Sequence, residues 1–162
     1  MKQSLFLFPA FLALTGLNSC MLTKGKEKPK EPIIKFLLSI EEGPCAGKCS
    51  RYEAQFFSGQ KMVYRGISRM KILGNYSYFI PEQLPKNLLA EAASLKLAEL
   101  ADSLPSEEGE QRVKIIFLQP NGNLKKVSAG SKTGPSAFRS FIRLVDSEVR
   151  SMTEDQEGEK IP

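Results

Sequence analysis

The chain has 162 residues, of which 41% are hydrophobic and 25% charged, a composition typical of one globular domain. It contains no histidine, which excludes Ser-His-Asp and Cys-His catalysis, histidine-ligated metals and the usual near-neutral general base. The formal net charge is +5, but no face is predicted to be dominated by one sign, so nucleic-acid binding is not expected. Neither a metal nor a cofactor is predicted.

The N-terminus has the pattern of an export signal. A short positive start, Met1-Lys2-Gln3, precedes an apolar run from Leu5 to Leu14. This run is shorter than the roughly 20 residues that span a bilayer, but it suits the apolar region of a signal peptide. Residues 17–20, Leu-Asn-Ser-Cys, resemble a bacterial lipobox. The resemblance implies that Cys20 receives a diacylglycerol and becomes the first mature residue. The alternative is a plain signal peptide with an incidental cysteine.

Residues 20–32 are polar, basic and interrupted by prolines, a composition typical of a disordered tether. Its lysines would favour anionic lipid headgroups, although a solvated linker is the simpler interpretation. Met21 is not the aspartate associated with inner-membrane retention in enteric-type sorting. The pattern therefore favours the outer membrane of a diderm bacterium.

The folded part is predicted to open with strands. Apolar residues at every second position predict a strand over 33–40, with Ile34, Phe36, Leu38 and Ile40 on its buried face. A second strand over 51–57 would bury Tyr52, Ala54 and Phe56. Ser58-Gly59 then predicts a tight turn, and 60–65 its partner strand. Gly66 is expected to end that strand, with further strands at 67–73 and 76–80 separated by a turn at Gly74-Asn75.

A helix is predicted to begin at Pro81-Glu82 and to bury a stripe of leucines and alanines, with a kink or a second short helix near Ser94. Strands at 113–117 and 124–128 flank Asn121-Gly122, which favours a hairpin with a type I′ turn. A last helix would begin near Pro135, capped by Thr133 or Gly134, and pack Phe138, Phe141, Ile142, Val145 and Val149 on the sheet. Asp146 and Glu148 would lie on its other side, and residues 151–162 would fray as a polar, acidic tail. Arg65, Arg69 and Lys71 are predicted to form a solvated face of the sheet rather than a basic binding face.

One segment is similar to part of a phosphate-binding loop. Within residues 130–134, the run Gly-Ser-Lys-Thr resembles part of a Walker A motif. The first glycine of that motif would have to be Lys125, so a nucleotide site is not expected here.

The three cysteines form an odd set. If Cys20 carries lipid, Cys45 and Cys49 remain as a pair in an oxidising compartment. A structural disulfide between them is favoured, in a loop that joins two strands. Two free thiols, or a redox or metal site, are the alternatives, although the spacing is not Cys-x-x-Cys and no further ligand stands nearby.

Residues 43–49, Gly-Pro-Cys-Ala-Gly-Lys-Cys, resemble the G-P-C-x-G-x-C-P-x-Y opening of a bacterial family known only as a domain of unknown function (family 6438). The Ser58-Gly59 turn, the segment 64–66, Gly74 and residues 82–84 also fall where that pattern expects them. The resemblance extends from about Ile34 to Val149. It departs at Ser50, where the family usually has proline, and at Ser58, where aspartate is commoner. It implies attachment to lipoprotein signals and no activity.

These observations predict a signal peptide at 1–19, a lipidated tether at 20–32, one α+β domain at 33–150 and a tail at 151–162. The domain is expected to be an antiparallel sheet of about five to seven strands with two helices packed on it. The leading hypothesis is an envelope lipoprotein, anchored to the membrane through Cys20, with a non-enzymatic binding or structural domain and an unidentified envelope protein as partner. No catalytic residue is predicted. The alternative is a thiol-redox protein or enzyme that uses Cys45 and Cys49.

Overall fold

The computed structural model describes residues 34–162. The predicted signal peptide, Cys20 and the tether at 20–32 lie outside the described residues, so those interpretations stay predictions. None of the helices in the described part is long and apolar enough to cross a bilayer.

A seven-stranded antiparallel sheet forms the centre of the domain, in the order β6-β5-β1-β2-β3-β4-β7. The strands are β1 Phe36–Glu42, β2 Arg51–Phe57, β3 Lys61–Ser68, β4 Gly74–Phe79, β5 Arg112–Leu118, β6 Leu124–Gly130 and β7 Glu159–Lys160. The helices are α1 Gln83–Ser94 and α2 Ser136–Asp155, with a short 3-10 helix at Leu97–Glu99. This confirms the predicted α+β class, the strand number and the two helices.

The core lies between the helices and one face of the sheet, as period-two strands and amphipathic helices require. Alternate strand residues meet the apolar stripes of both helices. The largest fully buried side chains are Tyr52, Tyr64, Phe56, Phe138, Phe141, Leu38, Ile40, Met62, Ile80, Leu88, Leu97 and Ile115. No helix within residues 34–162 covers the opposite face of the sheet, which is called the open face below.

The predicted alternation holds in β2 and from Leu38 onward in β1. The register of β1 shifts between Phe36 and Leu38, so Phe36 pairs with Phe57 and lies on the open face, not on the buried face as predicted. Tyr52, Ala54 and Phe56 are all buried, as expected for β2. β1 begins and ends later than predicted, because it extends through Glu41 and Glu42, which pair with Lys114 and Val113 of β5. As a result Ile34 lies before the strand and is 54% exposed.

The predicted break at Gly66 is wrong. β3 continues through Gly66 to Ser68, and Gly66 pairs with Gly74 of β4. A Cβ atom at residue 66 would collide with the carbonyl oxygen of Ile72. Glycine is needed there because the chain folds back closely over the strand, so residues 69–73 form a turn and not a further strand. Gly74, expected in a turn, begins β4 with a φ of 105°.

The β5–β6 hairpin exists, but its turn is not type I′. Only Gly122 of the Asn121-Gly122 pair has a positive φ, 85°. Gly122 N–H donates to the carbonyl of Gln119 at 2.9 Å, the pattern of a type I turn followed by a left-handed glycine. The asparagine side chain, which accepts from Asn123 N–H at 2.9 Å, stabilises this longer loop.

The helices differ from the prediction mainly at their ends. The predicted interruption near Ser94 is confirmed, because Lys96 adopts a left-handed conformation between α1 and the 3-10 helix. The expected frayed tail is wrong: α2 continues to Asp155, Thr153 is buried and β7 pairs with β4 at Tyr76 and Ser77. Asp146 was predicted to lie on the side of α2 that faces away from the sheet. This is wrong, because one oxygen of its carboxylate is buried.

Candidate functional site at the cysteine loop

The cysteine loop, residues 43–50, connects β1 to β2 at one end of the sheet. The Cys45 and Cys49 sulfur atoms lie at disulfide distance, with their Cα atoms 6.1 Å apart, within the range of a disulfide. Both side chains are partly exposed. The structure therefore brings together the two cysteines that the sequence singled out as a pair.

Gln111 fastens both ends of this loop. Its side-chain Nε2 donates hydrogen bonds to the carbonyl oxygens of Gly43 at 3.3 Å and Ser50 at 2.7 Å. Backbone bonds add to this attachment, from Gly43 N–H to Arg112 at 2.8 Å and from Ala46 N–H to Gly109 at 3.0 Å. The loop is thus held to residues 109–112, and its two cysteine sulfur atoms lie at disulfide distance. Gln111 was missed by sequence reasoning, since a lone glutamine before a strand carries no signal of a contact so distant in the chain.

A cleft of about 370 Å³ lies between the cysteine loop, residues 107–111 and the turn after β6. It is lined by both cysteines, three glutamates (Glu107, Glu108 and Glu110), Gln111, Gly47, Gly109, Ser131 and Lys132. The N–H of Gly47 lies 3.3 Å from the sulfur of Cys45, in hydrogen-bonding geometry. The cleft therefore offers a disulfide, loop backbone and carboxylates as its polar groups.

The carboxylate of Glu110 already accepts hydrogen bonds from the turn after β6. Its carboxylate accepts from Lys132 N–H, from the Thr133 hydroxyl and from Thr133 N–H at 2.9 Å. These bonds, with that of the Thr133 hydroxyl as the largest cause, lower the pKa of Glu110 to about 2. Backbone N–H groups in such a turn favour a negative charge. In the segment 130–134, the carboxylate of Glu110 supplies that charge, in the place where a phosphate would lie in a Walker A loop.

A cluster of polar side chains lies below the loop, on the helix-covered face. Glu42, at the end of β1, is only 9% exposed. Burial, and then the charge of Asp146, raise its pKa to about 7, while the positive charge of Arg150 and the amide of Gln111 partly oppose this shift. Arg150 Nε donates to Asp146 Oδ2 at 2.9 Å, whereas Asp146 Oδ1 is buried without a partner in the described residues.

Tyr52 completes this cluster from β2. Its hydroxyl approaches the Asp146 carboxylate, but the two groups do not meet the geometry of a hydrogen bond, and the hydroxyl has no other partner within residues 34–162. Burial raises its pKa far above the ordinary range, so the phenol stays neutral. No local sequence pattern indicates this cluster, because Glu42 follows a strand of apolar residues and Asp146 has ordinary helix-surface neighbours. Within the same part of the chain, no group of three or more metal-ligating side chains comes together.

The comparison with protein families adds one finding. The model of a family described as a domain of unknown function, DUF6438, matches residues 36–149. The chain belongs to this family. A comparison with curated proteins found no match. The DUF6438 match begins at the first residue of β1 and ends within α2, so it covers the whole core. It contains the cysteine loop, Gln111, Glu110 and the cluster around Glu42.

Proposed function

We propose that this DUF6438 protein is a lipid-anchored protein of the cell envelope, held in the outer membrane of a diderm bacterium through Cys20. The observation that carries this proposal is the distribution of its three cysteines. Cys45 and Cys49 lie at disulfide distance from each other, so Cys20 is left as the single cysteine, at the end of a lipobox-like sequence. Two or more acyl chains on that residue would give stable membrane attachment, where one chain would be marginal.

Metabolic labelling with palmitate tests the anchor. Label is expected in the full chain and is expected to be lost in Cys20→Ser, which has no sulfur to acylate. The matched control is Cys45→Ser combined with Cys49→Ser, which removes the other two sulfur atoms and should retain the label. Label that persists in Cys20→Ser would refute the anchor.

We further propose that the folded domain is a non-enzymatic binding or structural module, with the cysteine-loop cleft as its contact site for an envelope protein. The cleft is polar, and its backbone is held by Gln111 and the disulfide, so it presents a fixed surface without an ordering cost on binding. Its best-placed carboxylate, Glu110, is committed to the turn after β6. Exposed groups such as Lys48 and Glu108 remain available to a partner.

Photocrosslinking in native envelopes tests this contact. A photoreactive residue replaces Glu108 in the cleft lining or the exposed Lys48 of the cysteine loop beside it, or Glu154 on the exposed side of α2 as the control. One discrete protein adduct is expected from the cleft positions and not from residue 154. Equal or absent adducts at all three positions would contradict the proposal.

A thiol-redox function is the second candidate, and one observation favours it. The N–H of Gly47 that approaches Cys45 Sγ at 3.3 Å would stabilise a Cys45 thiolate, which is a better leaving group in disulfide exchange. In that reaction a substrate thiolate attacks Cys49, the Cys45–Cys49 bond breaks, and Cys45 leaves as the thiolate. An insulin-reduction assay with a dithiol reductant checks this function, and a rate equal to that of the double cysteine variant would eliminate it.

A further inference from the structure

The end of the sheet opposite the cysteine loop is where the chain enters the domain. β1 begins there at Phe36, and the residues before it lead back toward Cys20. The antiparallel registers place the ends of β2, β4 and β5 and the starts of β3 and β6 at this same end. We call it the tether end.

A row of paired residues crosses the open face at the tether end. Phe36 pairs with Phe57, Phe57 with Lys61, and Lys61 with Phe79. On the other side of β1, Leu118 pairs with Leu124. These six residues, the tether-end row, are Leu124, Leu118, Phe36, Phe57, Lys61 and Phe79.

The burial of the adjacent residues assigns this row to the open face. Side chains alternate between the two faces of a strand, and the alternate residues Phe56, Met62, Tyr78 and Phe117 are all buried under the helices. Phe36 joins the row because the register of β1 shifts between Phe36 and Leu38, which places Phe36 opposite Phe57. The rings of Phe36 and Phe57 meet edge to face with their centroids 6.0 Å apart. The row is therefore apolar across six strands, with Lys61 as its one charged member.

The open face becomes polar toward the cysteine loop. The next paired row lies two residues along each strand, or three in β1 because of its register shift, and it is mixed: Lys126, Ile116, Ser39, Gln55, Val63 and Ser77. Two residues further, the row is charged, with ion pairs between Lys114 and Glu41 and, at 3.8 Å, between Arg65 and Glu53. The face thus changes from apolar to charged along the strands, starting from the end that the tether enters.

Several large apolar side chains at the tether end are strongly exposed. Phe79 is 68% exposed, Leu124 59%, and Ile34, just before β1, 54%. Exposed apolar residues along one row mark a surface that contacts a membrane or another protein, and the position of this row at the end that leads to Cys20 favours the membrane. Two lysines lie nearby, Lys35 and Lys61, while Glu157 and Glu159 line the cleft beside Phe79. Charge is mixed here, so apolar contact has to supply the attraction.

We infer that the tether-end row, together with Ile34, is a lipid-contacting surface that seats the domain on the bilayer with the cysteine loop directed away from it. This inference rests on the proposed anchor. A flexible chain of 13 residues, the length of segment 20–32, has a root-mean-square span of about 20 Å. The anchor therefore keeps this surface at a high effective concentration near the lipid, so that weak contacts suffice.

In this orientation the cleft at the cysteine loop would lie at the end of the sheet that is far from the bilayer. A strand of seven residues spans about 23 Å, and apolar side chains of a surface-bound domain enter the headgroup–acyl boundary to a depth of about 5–10 Å. The cysteine loop would then stand beyond the headgroups, where a protein partner can reach it.

Photocrosslinking to lipid in the full chain tests this orientation. Benzoylphenylalanine replaces Phe79 or Leu124, or Leu73 as the matched control. Leu73 is 56% exposed but lies at the cysteine-loop end of the sheet, in the turn before β4. Lipid adducts are counted by mass spectrometry after irradiation of the envelopes, and palmitate incorporation at Cys20 is measured in the same samples. Thermal melting of each variant verifies that it is folded.

At least about tenfold more lipid adduct is expected at residues 79 and 124 than at 73, because only the first two would enter the headgroup–acyl boundary. If Cys20 is labelled but all three positions give equal adducts, or if residues 79 and 124 capture protein, the lipid-contacting surface is refuted and the anchor stands. If Cys20 is unlabelled, the anchor is refuted. If Cys20 is unlabelled but lipid adducts form only at residues 79 and 124, the lipid-contacting surface is supported without the anchor.

Discussion

The side-chain amide of Gln111 donates a 2.7 Å hydrogen bond to the carbonyl oxygen of Ser50, 61 residues earlier in the chain. A second bond from the same nitrogen reaches Gly43, so one side chain connects the two ends of the cysteine loop. This contact joins the loop to β5, and thereby to the centre of the sheet.

Replacing Gln111 with alanine is therefore expected to loosen the loop. The two lost hydrogen bonds leave carbonyl groups without partners, and the free energy of unfolding should fall by about 1–3 kcal/mol. Urea denaturation measures the change. Gln119→Ala is the control, since the side chain of Gln119 makes no hydrogen bond within the described part of the chain, and its stability should be unchanged. Equal effects of the two substitutions would show that the Gln111 bonds contribute nothing.

Removing the disulfide should lower the free energy of unfolding only modestly, because the loop that it closes is short. Cys45 and Cys49 are four residues apart, and the chain-entropy model gives roughly 2 kcal/mol for so short a loop. The double variant Cys45→Ala, Cys49→Ala should therefore unfold at lower urea concentration than the oxidised protein and at the same concentration as the protein treated with dithiothreitol. Thiol counting by mass spectrometry, after unfolding without reductant, is expected to find neither Cys45 nor Cys49 free. Two free thiols there would contradict the disulfide.

The buried carboxylate of Glu42 predicts how stability depends on pH. Its pKa is about 7 in the fold, against an ordinary value of 4.5, so the native state binds the extra proton between these values. The contribution of Glu42 to the free energy of unfolding should be greatest below pH 4.5. It should fall by up to about 3 kcal/mol as the pH rises through 7.

Glu42→Gln should remove this dependence, because the amide has a similar shape and cannot ionise. The variant is expected to be more stable than the original protein at pH 8 and about equal at pH 4.5, by urea denaturation at both values. Glu41→Gln, the adjacent residue on the open face, is the control. If Glu42→Gln destabilises the protein equally at both pH values, the carboxylate is needed for its hydrogen bonds and the pKa argument fails.

Local patterns predicted most of the fold, and close contacts between distant segments account for the errors. The alternation of apolar residues in 51–57 and the helical stripe of 138–149 both depend on burial of one face, which the sequence records directly. The buried position of Glu42 depends on where β5 and α2 lie, and the contacts of Gln111 depend on a partner 61 residues away. Neither has a local signal. The cysteine pair was recognisable because its members are near in sequence.

The role of Gly66 also depends on a close contact that has no local sequence signal. It provides the sharpest test of how residues 69–73 fold back over β3. Glycine usually interrupts a strand, but here it permits the Ile72 carbonyl to lie directly over β3, where a Cβ atom would collide with it and approach the Tyr64 hydroxyl at 3.1 Å. Gly66→Ala is therefore expected to lower the free energy of unfolding by about 2–4 kcal/mol, since backbone on both sides must move. The control is Gly47→Ala in the cysteine loop, where no atom lies within 4 Å of the added Cβ, and its effect should stay within about 0.5 kcal/mol. Urea denaturation of both variants gives the comparison. A Gly66→Ala protein as stable as Gly47→Ala would mean that the chain does not fold back over β3 at this residue.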